Sequence, residues 1–258
     1  MERLSMSRVN SVPAVPFTVI IPTLYGQMLV NRYDINQTNA LFKTGRAIDH
    51  NEIAMLSQIL RDLGSNLTVL DVGANFGTYS IALARSVGPE GKIHAFEPQR
   101  LIYNLLVGSV AINSFTNIYC HNIAVGDREG RVEIPQYDYH RPMNFGSVEF
   151  GESQQEKLDQ TRMHEASKTE YVRVATVDSF DFPTVSLVKI DVEGMESQVL
   201  DGSKQTIRRC RPVLFVEYLK GDREALREKL LSLDYVVHQK TMNLLGIPTE
   251  LSGKVRIG

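Results

Sequence analysis

Val69-Leu70-Asp71-Val72-Gly73-Ala74-Asn75-Phe76-Gly77 is the stretch on which the fold turns. An apolar run from Leu67 meets the acid Asp71, passes through two glycines and enters a helical stretch from Thr78 to Ser86. A strand that turns sharply into a helix needs unusual backbone dihedrals and close backbone approach, which glycine permits. The new helix also offers unpaired N–H groups above the strand end, where a carboxylate or phosphate can be received. Such a turn occurs in many nucleotide-binding folds, so its meaning depends on the elements downstream of it.

Those elements alternate. Lys92 to Phe96 reads as a second strand, Arg100 to Asn113 as a helix and Asn117 to Val125 as a third strand. This β-α-β-α-β order predicts an α/β fold, a doubly wound, mostly parallel sheet with helices on both faces. Right-handed crossovers then bring the strand C-termini to one edge, where ligands bind. The rhythm pauses over about 126–182, where Arg131 to Ile134 and Tyr171 to Val177 predict a paired β insertion. Its polar segment at 147–170 reads as a solvated helix or mobile loop, or alternatively as a lid over a cleft. Val185 to Val192, a helix from Met195 to Arg208 and Val213 to Tyr218 resume the pattern. Leu226, Leu230 and Leu233 mark one more helix, and Tyr235 to His238 with the segment around Leu244 predicts an antiparallel C-terminal hairpin. Upstream, Val15 to Val30 predicts a strand or hairpin. Asp49 to Leu63 predicts an amphipathic helix, with Ile53, Leu56, Ile59, Leu60 and Leu63 on one face and Gly64 closing it. The expected organisation is an N-terminal cap over 1–65 and a main domain over 66–258.

Bulk composition narrows the partners. The 258 residues are 43% hydrophobic and 22% charged, with a formal net charge of −2. The pI near 6.3 is not the basic footprint of a protein that lives on phosphate backbones, so no nucleic acid partner is expected. Cys120 and Cys210 form no CxxC pair and read as two buried thiols of a reducing cytoplasm. Arg3 and Arg8 precede an apolar stretch, but Pro13, Pro16 and Pro22 break it, which argues against a signal peptide. No apolar run reaches bilayer-spanning length, so the expected location is cytoplasmic, and a homo-oligomer is compatible with the sequence.

Two acidic positions carry the chemistry. Gly73 and Gly77 are separated by three residues, so the G-x-G-x-x-G set suited to a pyrophosphate is absent. Glu97, in Phe96-Glu97-Pro98, ends the second strand where one carboxylate can take both hydroxyls of a ribose. An adenosine with an amino-acid tail and no pyrophosphate satisfies both facts, which points to S-adenosylmethionine. The plainer reading makes Asp71 a turn-stabilising acid and Glu97 part of a surface turn. Further on, Lys189-Ile190-Asp191-Val192-Glu193-Gly194 ends a buried strand with charge. If the strand stays extended, Lys189, Asp191 and Glu193 share one face, and must pair or open into a cleft. Methyl transfer to oxygen needs alignment and a proton acceptor, for which Asp191 is the leading candidate and Glu193 the second. A Lys189–Asp191 structural pair beside a capping Glu193 is the competing reading. The two acids could also hold a divalent cation such as magnesium, but no third ligand is evident and no metal residue is assigned.

The chain resembles the FkbM family of methyltransferases. The matching pieces are Asp71 to Gly77, Phe96-Glu97-Pro98, Ala124-Val125-Gly126-Asp127, Lys189 to Gly194, Val199-Leu200-Asp201-Gly202 and Arg211-Pro212-Val213. The resemblance implies a class I (Rossmann-like) methyltransferase fold and O-methylation, often of sugar hydroxyls in glycans, glycolipids or natural products. It implies cofactor contacts from Asp71, Gly73, Asn75, Gly77, Glu97, Asn122 and Ala124, with Asn122 near the adenine. Asn144-Phe145-Gly146-Ser147 would approach the substrate side. The expected acceptor is a sugar, glycan or glycosylated metabolite; a polyketide, lipid or peptide acceptor, or a non-catalytic adenosine-binding protein, are the rivals. His140, His164 and His238 have no motif support as bases.

Overall fold

Counted along the chain, a hairpin of β1 (Thr18–Thr23) and β2 (Gly26–Asn31) precedes helices α1 (Gln37–Thr44) and α2 (His50–Leu63). Then come β3 (Thr68–Val72), α3 (Thr78–Leu83), β4 (Lys92–Phe96), α4 (Arg100–Ile112) and β5 (Ile118–His121). The insertion holds β6 (Ala124–Val125), β7 (Gly130–Pro135) and β8 (Thr169–Ala175). The chain continues through β9 (Leu187–Ile190), α5 (Glu196–Asp201), α6 (Lys204–Cys210), β10 (Val213–Glu217), α7 (Arg223–Leu231), β11 (Tyr235–Lys240) and β12 (Asn243–Pro248). This computed structural model describes residues 15–146 and 169–257, so His164 and most of the polar 147–170 segment lie outside the described residues.

Seven strands form one sheet in the order β11-β12-β10-β9-β3-β4-β5. The five central and edge strands from β10 to β5 pair in parallel, and β12 turns antiparallel against β10 and β11. The sheet is therefore the doubly wound, mostly parallel one expected, with its antiparallel C-terminal hairpin. Strands covered on both faces become continuous apolar runs, and β9 is buried at all four positions. Alternation divides their side chains between two cores. Val69 and Phe215 pack with Leu56, Ile81 and Leu106 on one face. Leu70, Val72 and Leu214 pack with Val199, Ile207 and Leu230 on the other. The strand order reverses between β3 and β9, and the cleft opens beyond their C-terminal ends.

The N-terminal hairpin joins the first of these cores through Ile21, Met28 and Val30. It is also tied to the insertion: Asn31 Nδ2 donates to the Tyr139 carbonyl (3.0 Å), and Asp34 accepts from the Phe145 N–H (3.3 Å).

Three expectations need correction. Asn117 to Val125 is not one strand. Asn122 turns its amide onto the carbonyls of Glu97 (2.9 Å) and Pro98 (3.0 Å), and the chain leaves the main sheet for a second one, ordered β6-β8-β7. Met195 to Arg208 is two helices, because Gly202 lies so close to Gly126 that an added Cβ would sit 2.0 Å from its carbonyl oxygen. Asp178 then caps the restart, accepting from the N–H groups of Gln205 and Thr206. The two free cysteines are half-buried rather than fully enclosed.

At the β4–β5 edge, His94 Nδ1 lies 3.1 Å from His121 Nε2, inside a stack with Phe96, Phe180 and Phe182. Burial, with the neighbouring His121 and Lys92 charges, lowers His94 from 6.5 to about 4. Between those two pH values the unfolded chain binds the extra proton, so stability is full above about 6.5 and is lost on acidification toward 4. The urea midpoint should fall between pH 7 and pH 4.5, and fall less in His94→Phe. Equal slopes in the two proteins would remove His94 from this role.

Candidate functional site

The glycine turn is built by backbone contact between neighbouring strands. Asp191 donates its N–H to the Val72 carbonyl (3.0 Å), and Gly73, at φ +79°, lies against the Asp191 carbonyl. A Cβ on Gly73 would sit 1.7 Å from that oxygen, so no other residue fits. Gly77, at φ +96°, starts α3 and gives way to Leu106, against which a Cβ would press at 2.6 Å. Asn75 also adopts a positive φ, 51°, and its Oδ1 accepts from Phe76 N–H.

Above this turn lies a cleft that encloses, open solvent included, about 590 Å³. Its lining includes Val72, Gly73, Asn75, Glu97 and Ala124 together with Gly146, Asp191, Glu193 and Met195. Glu97 is buried, with Oε2 accepting from the Asn75 N–H (2.9 Å) and Oε1 from the Gln99 N–H (2.8 Å). Each oxygen keeps a lone pair for a ligand hydroxyl. Burial outweighs these two donors and pushes the Glu97 carboxyl up to about 7.

The structure places three of the sequence-predicted residues behind the cavity wall rather than on it. Asp71 is fully buried and accepts from Ser80 Oγ. Gly77 caps the helix, and Asn122 braces the Glu97-Pro98 turn. Gly73, Asn75, Glu97, Ala124, Asp191 and Glu193 line the cavity itself.

The strand-end acids do not share one extended face. β9 stops at Ile190, and Glu193 takes a left-handed φ of 57° before Gly194 at 103°. Glu196 holds this loop, accepting from the N–H groups of Val192 (3.2 Å) and Gly194 (3.1 Å). Lys189 is buried beneath and pairs with Asp191 at 3.2 Å, as the structural-pair reading anticipated, yet Asp191 also faces the cavity. Burial, helped by Asp191, pushes Glu193 up to about 7 against the opposing Lys220, 3.1 Å away.

Sequence reasoning passed over Glu217 and Gln99. Glu217 ends β10 beside β9, and one oxygen each from Asp191, Glu193 and Glu217 falls within 4.8 Å of the others. Burial, then Asp191 and Glu193, raises the Glu217 carboxyl. An acid at a strand C-terminus was the signal that singled out Glu97, and the same rule would have found Glu217. The trio could hold a divalent cation, although Lys189 and Lys220 already supply positive charge to two of its members. Gln99 has no motif to announce it. Its Nε2 donates to the Phe145 carbonyl (3.0 Å), which ties the insertion to the turn after β4.

The sequence model of the Methyltransferase FkbM domain matches residues 71–237, which run from the glycine turn into β11. This chain belongs to the FkbM-domain methyltransferase family. It is 25% identical over 167 residues to Methyltransferase sdnD of Sordaria araneosa, covering 55% of this chain and 62% of that protein. It is 25% identical over 145 residues to Methyltransferase 1 of Beauveria bassiana (strain ARSEF 2860), covering 52% of this chain and 57% of that protein. The chain thus spans about 60% of the length of the curated relatives it matches. The fold is shared with the methyltransferase FkbM of Methylobacillus flagellatus KT, at a TM-score of 0.50 and 18% identity, over 70% of this chain and 44% of that one. The FkbM domain contains Glu97, the β insertion and Asp191 to Gly194, and leaves out the hairpin, α1 and α2.

Gly73→Ala should lower unfolding stability by at least about 1–3 kcal/mol, the scale of a strained backbone position, with the carbonyl clash added. Gly45→Ala, also at positive φ but with nothing within 4 Å of its Cβ, should cost less. Equal denaturation midpoints for the two variants would show that the Asp191 contact is not the constraint.

Proposed function

We propose that this chain transfers a methyl group from S-adenosylmethionine to a hydroxyl of a sugar, glycan or glycosylated metabolite. The observation that carries the cofactor reading is Glu97: a buried carboxylate at a strand end, held by two backbone N–H groups, on the wall of the cavity over the glycine turn. The donor set fits an adenosine ligand, since much of the lining is apolar around a buried acid that can take the diol. S-adenosylmethionine supplies, when bound, an electrophilic methyl on a sulfonium.

The chain's own residues would do the rest. Glu97 accepts the ribose hydroxyls, with Asn122 holding its turn in place through the Glu97 and Pro98 carbonyls. Ile123, Ala124 and Val125 provide an apolar wall. Asp191 pairs with Lys189 and Glu193 with Lys220, and it is Glu193, near 7, that has the proton affinity suited to a base at neutral pH. Glu193 therefore takes the proton that the acceptor hydroxyl loses, and Asp191 orients that hydroxyl. Support for a sugar acceptor comes from the family resemblance. Among the described residues no helix is long and apolar enough to cross a membrane.

Titration with S-adenosylhomocysteine should show binding, with NAD giving none. Glu97→Ala should weaken it by about 10- to 150-fold, the equivalent of a hydrogen bond to a charged group. Affinity should rise from pH 6 to pH 8, because only the carboxylate accepts both hydroxyls and the carboxyl titrates near 7. Binding that ignores both the variant and the pH rules out the ribose assignment.

Glu193→Gln should reduce turnover by about 10²- to 10⁴-fold, while S-adenosylhomocysteine affinity changes little. Unchanged turnover, measured with labelled methyl donor on the acceptor found by screening, would exclude Glu193 as the base.

A further inference from the structure

A buried ammonium group has three N–H donors and must satisfy them all. Lys189 meets one carbonyl acceptor and two carboxylates drawn from two strand ends. Its Nζ donates to the Gly73 carbonyl at 2.8 Å, and lies 3.4 Å from Asp71 Oδ1 and 3.2 Å from Asp191 Oδ2. The Tyr79 ring covers it at 5.1 Å. Burial works against its charge, but Asp191 and Asp71 outweigh that and hold it above the ordinary lysine value.

The choice of acceptors is informative. Gly73 and Asp191 both line the cavity, and on the proposed function they serve the cofactor and the acceptor respectively. Asp71 alone would suffice to neutralise a buried lysine. The contact to a turn carbonyl adds no charge balance; it fixes where that turn sits relative to Asp191. One Asp191 oxygen is taken by Lys189, while its side chain remains 32% exposed toward the cavity.

We propose that Lys189 is a positioning residue that joins cofactor seating and acid placement into one unit. It registers the Gly73 turn against the Asp191 carboxylate, so that a shift of either moves the other. This rests on the proposed methyltransferase function and adds a residue that touches neither cofactor nor acceptor.

The test uses Lys189→Met and Lys189→Ala, alone and combined with Asp191→Asn, in the full chain below each variant's melting temperature. Lys189→Met should weaken S-adenosylhomocysteine binding by about tenfold and lower kcat by about 100-fold, the scale of an ångström misplacement. On the Asp191→Asn background the kcat loss should shrink at least about threefold, since residues acting through one another are not additive. Methylammonium added to Lys189→Ala should restore part of both. Lys189→Arg, which keeps the charge but presents a planar fork, should fold and still lose kcat. A purely structural lysine would lower the melting temperature and leave kcat and affinity at parent values in the folded variants. That result, or independent multiplicative losses with Asp191→Asn, overturns the proposal. If instead the parent chain fails to bind S-adenosylhomocysteine, it is the cofactor reading that fails.

Discussion

The contact between Gly73 and the Asp191 carbonyl is the constraint on which the site depends. Parallel pairing of β3 with β9 brings the two strand ends side by side. At that point one chain must turn away to start α3, and it can do so only where no Cβ intrudes. The turn's closeness forces the neighbouring strand end to finish at the same level, which is why the carboxyls of Asp191 and Glu193 reach the cavity that the turn floors. Geometry dictates charge here. A lysine buried at that junction has partners on both sides, and the sheet tolerates it because one carbonyl and two carboxylates surround its charge.

The cavity's other walls come from parts that contribute no strand to the main sheet. The insertion returns Phe145 and Gly146 over the turn, where a Cβ on Gly146 would press within 2.6 Å of the Asn75 amide. It is held there from both directions. Gln99 reaches it from the β4 end, and Asp34 and Asn31 reach it from the N-terminal hairpin. Asp34 is itself buried, with its carboxyl raised by burial against three backbone N–H donors, so this strap trades desolvation for fixed geometry. Aromatic stacking of Tyr139 on Phe145, 4.9 Å apart, closes the same region. Asn31 and Asp34 lie outside the FkbM domain match, yet they hold the part of the insertion that lines the cavity.

The main sheet was readable because its signals are local. Buried parallel strands are short apolar runs, and the helices between them repeat at 3–4 residues, so their order survives without tertiary information. The breaks were not readable. Asn122 ends a run that looks continuous from Asn117 to Val125, and its reason lies 24 and 25 residues away at the Pro98 and Glu97 carbonyls. Gly202 splits a helical pattern because Gly126, in the insertion, passes beside it. Extended alternation placed Glu193 with Lys189 and Asp191, whereas the backbone had already left the strand.

Residue types and their spacing alone determined the α/β order, the glycine turn and the acid that closes the second strand. These are matters of local propensity and chemistry, carried by neighbours in the chain. Tertiary structure decided which acids face the cavity and which stand behind it. Asp71 and Glu97 look alike as strand-end carboxylates, but Asp71 points into the core beside Lys189 and Glu97 lines the cavity. Glu217 joins Asp191 and Glu193 only because β10 lies next to β9. Burial and the charges on adjacent strands then set each group's proton affinity, and adjacency across a sheet is information that no single stretch of sequence contains.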